Sequence, residues 1–193
     1  MASCAMAETK PAGPPPTQNK LHEAALAHLA RYGTTEAGLI RVLDRRVDRW
    51  ARAAEGPEPE TVAACKRAVR LVARRMVELG LIDDAVFAES RARSLTRTGR
   101  SRREVVAHLG ARGVDAGLVE QALPDDPEME LAACVAFTRR RRIGAFRRPE
   151  REANPQREFG MLARAGFSHE VARQAMEMEA EAAEALVIRL KQS

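Results

Sequence analysis

Residues 101–123 read SRREVVAHLGARGVDAGLVEQAL, and residues 154–176, which read NPQREFGMLARAGFSHEVARQAM, repeat their pattern. The two stretches align at a constant offset of 53 residues, which pairs Gly113 with Gly166 in the middle of each stretch. Glycine readily adopts the left-handed backbone conformation that ends many helices. Each stretch therefore predicts a helix, a glycine turn and a second helix.

Residues suited to capping helices occupy matching places in the two stretches. Ser101 and Asn154 precede the first helix of each stretch, and Asp115 and Ser168 precede the second. Their side-chain oxygens can accept a hydrogen bond from a backbone N–H of the first helical turn. Pro155 follows Asn154 at the first helical position, where proline is favoured. The repetition therefore extends from similar letters to equivalent structural roles.

Apolar residues at steps of three and four predict further helices. They cover residues 20–31, 60–79, 84–97 and 128–142, while residues 35–47 resemble a degenerate copy of the repeat that lacks the glycine turn. We therefore predict an all-α fold with three tandem three-helix repeats. Such repeats bury their apolar faces by stacking, so we expect an elongated array.

Proline- and glycine-rich breaks divide these patterns into five segments. The predicted organisation is a disordered N-terminal tail at 1–19, helical repeat 1 at 20–80, helical repeat 2 at 81–124, helical repeat 3 at 125–176 and a C-terminal helical tail at 177–193.

The composition excludes several classes of protein. The 193 residues are 45% hydrophobic but only 4% aromatic, which disfavours an all-β fold. No apolar run is long enough to span a membrane and no secretory leader is visible, so we expect a cytoplasmic protein that does not insert into membranes. The formal net charge of +5 favours polyanions or acidic proteins as partners.

No arrangement of residues predicts catalysis or cofactor binding. The histidines have no partner at the spacing of a metal site or a catalytic triad; they are His22, His28, His108 and His169. Nucleotide-binding glycine motifs are also absent from the sequence. Cys65 and Cys134 lie on apolar stripes and are interpreted as small hydrophobic residues. We predict a protein that is not an enzyme and that has no cofactor, catalytic residue or metal ligand.

Two arginine clusters are the candidate partner-binding residues. They lie at comparable places in the second and third repeats and comprise Arg91, Arg93, Arg97, Arg100, Arg102, Arg103, Arg139, Arg140, Arg141, Arg142, Arg147 and Arg148. Arginine suits contacts with phosphate or carboxylate groups. A solvated helix face is the alternative interpretation of such charge runs.

Residues 79–88, LGLIDDAVFA, resemble the "L..G.idD..FA" signature of the RecX family of bacterial recombinase regulators. The weaker repeat patterns on both sides extend the resemblance over about residues 21–176. Asp83 is interpreted as the N-cap of the helix that follows rather than as a metal ligand. The signature positions are therefore assigned structural roles; they are Gly80, Asp83, Asp84, Phe87 and Ala88, together with the turn glycines Gly113 and Gly166.

The resemblance implies a modulator of RecA that performs no chemistry itself, and the repeated, capped helices lead us to expect a monomer. Family members bind RecA or its filament on single-stranded DNA. They inhibit strand exchange, ATP hydrolysis and co-protease activity, and so modulate homologous recombination, DNA repair and the SOS response. Weak direct binding to DNA remains open at this point.

Two other functions compete with this interpretation. The first is a helical protein that binds nucleic acid directly through its arginines. The second is a helical adaptor for an unrelated acidic protein. Whether binding to single-stranded DNA requires RecA distinguishes the first from the RecA regulator.

Overall fold

The computed structural model describes residues 13–54 and 56–192, which form ten α-helices and contain no strand. The prediction of an all-α fold is confirmed. The helices are α1 Gln18–Leu29, α2 Glu36–Ala53, α3 Pro59–Glu78, α4 Asp84–Arg97, α5 Arg102–Arg112, α6 Ala116–Ala122, α7 Pro127–Arg141, α8 Pro155–Arg164, α9 His169–Glu177 and α10 Ala180–Gln192. A short 3-10 turn, Gly144–Phe146, follows α7.

The first of two compact units ends at Asp83 and contains α1, α2 and α3. Its apolar core forms where the three helices bring together buried residues such as Leu21, Leu43 and Met76. Helix α3 carries an apolar stripe at steps of three and four, so it buries one face and leaves the other to its arginines.

The second unit begins at Asp84 and contains both copies of the repeated sequence, residues 101–123 and 154–176. Helices α4, α5 and α6 enclose one apolar cluster, which includes Ala88 and Leu109. Helices α7, α8 and α9 enclose another, which includes Phe137 and Leu162, and α10 adds Leu186 to it. The three-helix repeats are therefore present in sequence order, and one additional helix follows them.

The predicted caps and glycine turns are confirmed at the atomic level. The side-chain oxygens of the N-caps accept backbone N–H groups in four pairs: Ser101 with Glu104 at 3.3 Å, Asp115 with Gly117 at 2.8 Å, Asn154 with Arg157 at 3.0 Å and Ser168 with Val171 at 3.2 Å. Gly113 and Gly166 have φ angles of +83° and +88°, in the left-handed region that favours glycine. The repeated sequence therefore builds the same helix ends twice.

The prediction of an N-terminal tail at residues 1–19 extends too far toward α1. Helix α1 already begins at Gln18, because the hydroxyl of Thr17 accepts the backbone N–H of Lys20 at 3.4 Å. Before the helix, the indole N–H of Trp50 donates to the carbonyl oxygen of Gly13 at 2.8 Å. Residues 1–12, the rest of the predicted tail, lie outside the described residues.

Candidate functional site

The predicted partner-binding arginines all lie in the second unit, but they line more than one cleft. Arg93 and Arg97 lie one turn apart on α4 and border a cleft of about 300 Å³. Its other walls include Leu123, which follows α6, and Leu190 on α10. This cleft is mainly apolar, so Arg93 and Arg97 of the first arginine cluster do not lie at a basic site.

A second cleft brings the two arginine clusters together. Arg100 from the first cluster and Arg140 and Arg141 from the second line an open space of about 600 Å³, together with Arg164. We call this space the arginine cleft. Its remaining walls are formed by Glu104, Phe137, Met161 and Ala165.

Each arginine of the cleft lies in the last turn of a helix or in the turn between two helices. Arg100 lies in the turn between α4 and α5, Arg140 and Arg141 form the last turn of α7, and Arg164 ends α8. Cations are favoured near helix C-termini because the unpaired carbonyl groups there carry partial negative charge. The local structure of α7 and α8 therefore favours arginine at these positions.

Gly99 allows the turn that carries Arg100 to lie directly against α7. Its φ angle is +78°, and a Cβ atom at this position would lie 2.6 Å from the backbone nitrogen of Phe137. Any larger residue would therefore force the α4–α5 turn away from α7. This close approach places Arg100 beside Arg140 and Arg141.

Ser101 connects the same turn to the end of α8. Its hydroxyl donates to the carbonyl oxygen of Ala165 at 2.6 Å, across 64 positions of sequence. A Cβ atom at Gly166 would lie 2.7 Å from that hydroxyl oxygen, so the contact requires glycine there. This hydrogen bond brings Arg100 and Arg164 to the same cleft.

Arg164 was missed as a site residue by the sequence analysis. Its guanidinium folds back over Gly160, where a Cβ atom would lie 3.3 Å from the Arg164 Nη1 atom. The available signal was a basic residue in the last turn of a helix, two positions before the turn glycine Gly166. Arg164 has an alanine on each side in the sequence, so it does not belong to a charge run.

The electrostatics of the arginine cleft are strongly positive. Burial, with the neighbouring charges of Arg100 and Arg141, lowers the pKa of the Arg140 guanidinium below its usual range, and Glu104 opposes this shift. The Glu104 carboxylate lies 3.1 Å from the Arg100 Nη1 atom. Four guanidinium groups therefore share one carboxylate.

The ring of Phe137 supports two of these guanidinium groups. The Cζ atoms of Arg140 and Arg141 each lie 5.4 Å from the centre of the ring. Cations are attracted to the face of an aromatic ring at such distances. The ring therefore holds positive charge at the cleft.

Three of the predicted arginines interact with other side chains of the second unit. Arg91 donates from Nε to the His108 Nε2 atom at 3.2 Å, and Arg139 forms an ion pair of 2.9 Å with Glu184. Arg102 donates its backbone N–H to Glu130 at 2.8 Å. Their positions therefore serve packing and capping as well as surface charge.

Arg147 pairs with a buried carboxylate. Its Nη2 atom lies 2.6 Å from Glu158, which is only 3% exposed. Glu158 aligns with Val105 of the previous repeat, which is fully buried in the apolar core. The inserted loop before α8 thus supplies the cation that a glutamate needs at a core position.

The remaining predicted arginines are exposed and distributed over separate elements. They are Arg103 in the first turn of α5, Arg142 at the left-handed end of α7 and Arg148 after the 3-10 turn.

Three of the signature residues, Gly80, Phe87 and Ala88, lie in a turn or against an apolar cluster. Gly80 has a φ angle of +68° after α3, and Asp83 directly precedes α4, which begins at Asp84. Ala88 is fully buried and Phe87 packs against the same cluster.

A further basic face lies on α2 in the first unit and was missed by the sequence analysis. Arg41, Arg45, Arg49 and Arg52 recur at steps of three and four, and all four are exposed. Residues at this spacing share one helix face. The spacing alone could have identified this face.

No metal site or membrane-spanning helix occurs in the described part of the chain. None of the His, Cys, Asp and Glu groups within residues 13–54 and 56–192 could hold a metal ion, and no helix there has the length and hydropathy to cross a membrane. Burial and the charge of Glu130 raise the pKa of the Cys134 thiol to about 12, and burial raises that of Cys65. Both cysteines are buried, as predicted, and Cys4 lies outside the described residues.

Comparisons with known proteins agree with this architecture. A family model described as the second three-helix domain of RecX matches residues 83–123, which contain α4, α5 and α6. Two crystal structures share the fold. One, of regulatory protein RecX, has a TM-score of 0.61 at 20% identity and covers 83% of this chain and 72% of its own. The other, of RecX from Lactobacillus salivarius, has a TM-score of 0.53 at 16% identity and covers 91% and 97%.

Similar sequences extend the match over most of the chain. The regulatory protein RecX of Myxococcus xanthus is 36% identical over 161 residues, which are 81% of this chain and 84% of that protein. The regulatory protein RecX of Halorhodospira halophila is 32% identical over 156 residues, 80% and 85% of the two chains. With its three-helix repeats and its signature at residues 79–88, this chain belongs to the RecX family of regulatory proteins.

Proposed function

We propose that this protein binds RecA, or the filament that RecA forms on single-stranded DNA, and inhibits strand exchange, ATP hydrolysis and co-protease activity. Membership of the RecX family over most of the chain carries the proposal. The protein would act as a monomer in the cytoplasm, where it would modulate recombination and DNA repair by binding rather than by chemistry.

The exposed arginines of the second unit are the proposed contacts with the filament. Arg93, Arg103 and Arg148 leave their guanidinium groups accessible on separate elements. A filament on DNA presents both carboxylate and phosphate groups, and the planar guanidinium binds either with two parallel hydrogen bonds. Contacts of this kind weaken as salt screens the charges.

The second candidate function is direct binding to nucleic acid, and the basic face of α2 favours it. Arg45, Arg49 and Arg52 follow one another along this face. Four helical residues rise about 6 Å, so these side chains form a row along the helix axis. Such a row suits a series of phosphates without reading their bases.

The test measures RecA-dependent ATP hydrolysis on single-stranded DNA over a range of concentrations of this protein. The parent should inhibit hydrolysis. The triple variant Arg93→Glu, Arg103→Glu, Arg148→Glu should inhibit less, and its inhibition should depend less steeply on salt. The matched control reverses Arg45, Arg49 and Arg52 in the first unit, so it changes the net charge by the same amount.

A gel shift with single-stranded DNA, with and without RecA, separates the two candidate functions. If the protein is a RecA regulator, it should change the mobility of the DNA substantially only when RecA is bound to that DNA. Strong binding without RecA that the α2 variant abolishes would favour the direct binder. Unchanged ATP hydrolysis and strand exchange at every concentration would reject the regulator.

A further inference from the structure

We propose that the arginine cleft of the second unit is a binding site for phosphate groups. Arg100, Arg140, Arg141 and Arg164 would hold the phosphate oxygens. This phosphate site is distinct from the proposed inhibition of RecA, because phosphate binding can be measured on this protein without RecA.

Most of the positive charge of the arginine cleft is not balanced by acidic side chains. Glu104 already pairs with Arg100, at 3.1 Å. Within residues 13–54 and 56–192, no acidic side chain forms an ion pair with Arg140, Arg141 or Arg164. The lowered pKa of Arg140 reflects in part the repulsion from Arg100 and Arg141. An anion in the cleft would relieve this repulsion.

The fold holds these charges together. Gly99 permits the close approach to α7, Ser101 bonds to the carbonyl of Ala165, and Gly160 leaves room for the Arg164 side chain. Preorganised donors lose less conformational entropy on binding than donors that must be gathered from solution. The cleft therefore differs from arginines scattered on a helix face.

The sign of the potential is decided by the guanidinium groups rather than by the helix ends. The C-termini of α7 and α8 face the cleft with partial negative charge, whereas α5 begins beside it with partial positive charge. Each helix end is equivalent to about half an elementary charge. Four guanidiniums and one carboxylate outweigh these contributions and leave a net positive site.

Phosphate fits this cleft better than carboxylate does. A phosphate monoester presents three strong acceptor oxygens and close to two charges near neutral pH, and a strand presents phosphodiesters of one charge each in close succession, so either can satisfy more than one guanidinium. A carboxylate has two oxygens and one charge. Arg140 and Arg141 also cover the ring of Phe137, so the binding should not depend on stacking with a base.

The probe is inorganic triphosphate, titrated calorimetrically into the full chain at low ionic strength. The variant Arg140→Gln with Arg164→Gln should weaken binding by at least about tenfold, because it removes two charge-assisted donors. The matched control, Arg70→Gln with Arg74→Gln on the exposed face of α3, loses the same charge outside the cleft and should bind like the parent. Equal affinity of both variants and the parent, or no binding by the parent, would overturn the proposal.

A second variant keeps the test valid if the double substitution impairs folding. Arg164→Lys retains the charge but replaces the guanidinium fork with a single ammonium group. It should keep the parent's melting temperature and bind triphosphate more weakly, and unchanged affinity in this variant would count against the site.

Competition then identifies the source of the phosphate. Single-stranded oligonucleotides of different sequences are added to the protein with triphosphate bound. Displacement that is independent of sequence assigns the cleft to the phosphates of a strand, and retention of triphosphate assigns it to free phosphate compounds. The calorimetric measurement contains no RecA. A protein that does not inhibit RecA can therefore still bind triphosphate, and each of the two proposals can be rejected without the other.

Discussion

Leu109 and Leu162 occupy equivalent positions in α5 and α8, and both are fully buried. Replacing either with alanine removes apolar contacts and leaves a cavity, at a cost of about 2–5 kcal/mol in the free energy of unfolding. Chemical denaturation followed by circular dichroism measures this change. Val106→Ala is the matched control, because Val106 lies in α5 with Leu109 and is 36% exposed. A leucine variant as stable as the control would contradict the assignment of the core.

His108 makes stability depend on pH. Burial, followed by the charges of Arg91, Arg112 and Arg100, lowers the pKa of its imidazole below the usual range. The Arg91 Nε–H also donates to its Nε2 atom, which must be unprotonated to accept. The neutral form is therefore favoured in the folded state.

The sign of the effect follows from proton uptake. As the pH falls below about 6.5, the unfolded chain binds a proton at His108 before the folded chain does, so stability decreases. We expect this loss in the parent and a smaller one in His108→Gln when the pH is lowered from about 7.5 to about 5.5. Denaturant midpoints at both pH values measure it. Identical losses in the two proteins would contradict the prediction.

The ion pair between Arg147 and Glu158 fixes the loop before α8. Glu158→Ala leaves the Arg147 guanidinium partly buried without its carboxylate, which should lower the free energy of unfolding by about 1–3 kcal/mol. Thermal denaturation measures the loss. The double variant Arg147→Met, Glu158→Val removes both charges and places at position 158 the valine that the previous repeat has at its equivalent position, Val105. It should therefore recover much of the stability. Equal stability of single and double variants would contradict this role.

Helices and their ends were predictable because their causes are local. Ser101, Asp115 and Ser168 cap helices through hydrogen bonds to residues two or three positions away, and Gly113 acts on its own backbone. A repeated pattern of local signals is visible in the sequence itself.

The arginine cleft was only partly predictable because its causes are long-range. Arg164 reaches the cleft through contacts between segments far apart in the chain, such as the hydrogen bond from Ser101 to Ala165. The position of Glu158 was hidden for the same reason: a glutamate at a core position is explained only by Arg147 in the folded loop. Charge runs indicated basic surfaces but not which arginines would meet.

The apolar clusters predict independent stability of the second unit. Two clusters lie entirely beyond Asp83, one around Leu109 and one around Leu162. Residues 83–193 alone should therefore give a helical circular dichroism spectrum and a cooperative thermal transition. A fragment that lacks a cooperative transition would show that its core depends on the first unit.

The hydroxyl of Ser101 couples two parts of the second unit. This one group accepts the N–H of Glu104, which caps α5, and donates to the carbonyl of Ala165 at the end of α8. Tandem repeats connected only by apolar contacts tend to open one at a time. Here, separation of the third repeat also removes a partner of the α5 cap. Amide protons of α5 and α8 should therefore exchange with solvent at similar free energies, as members of one cooperative opening unit.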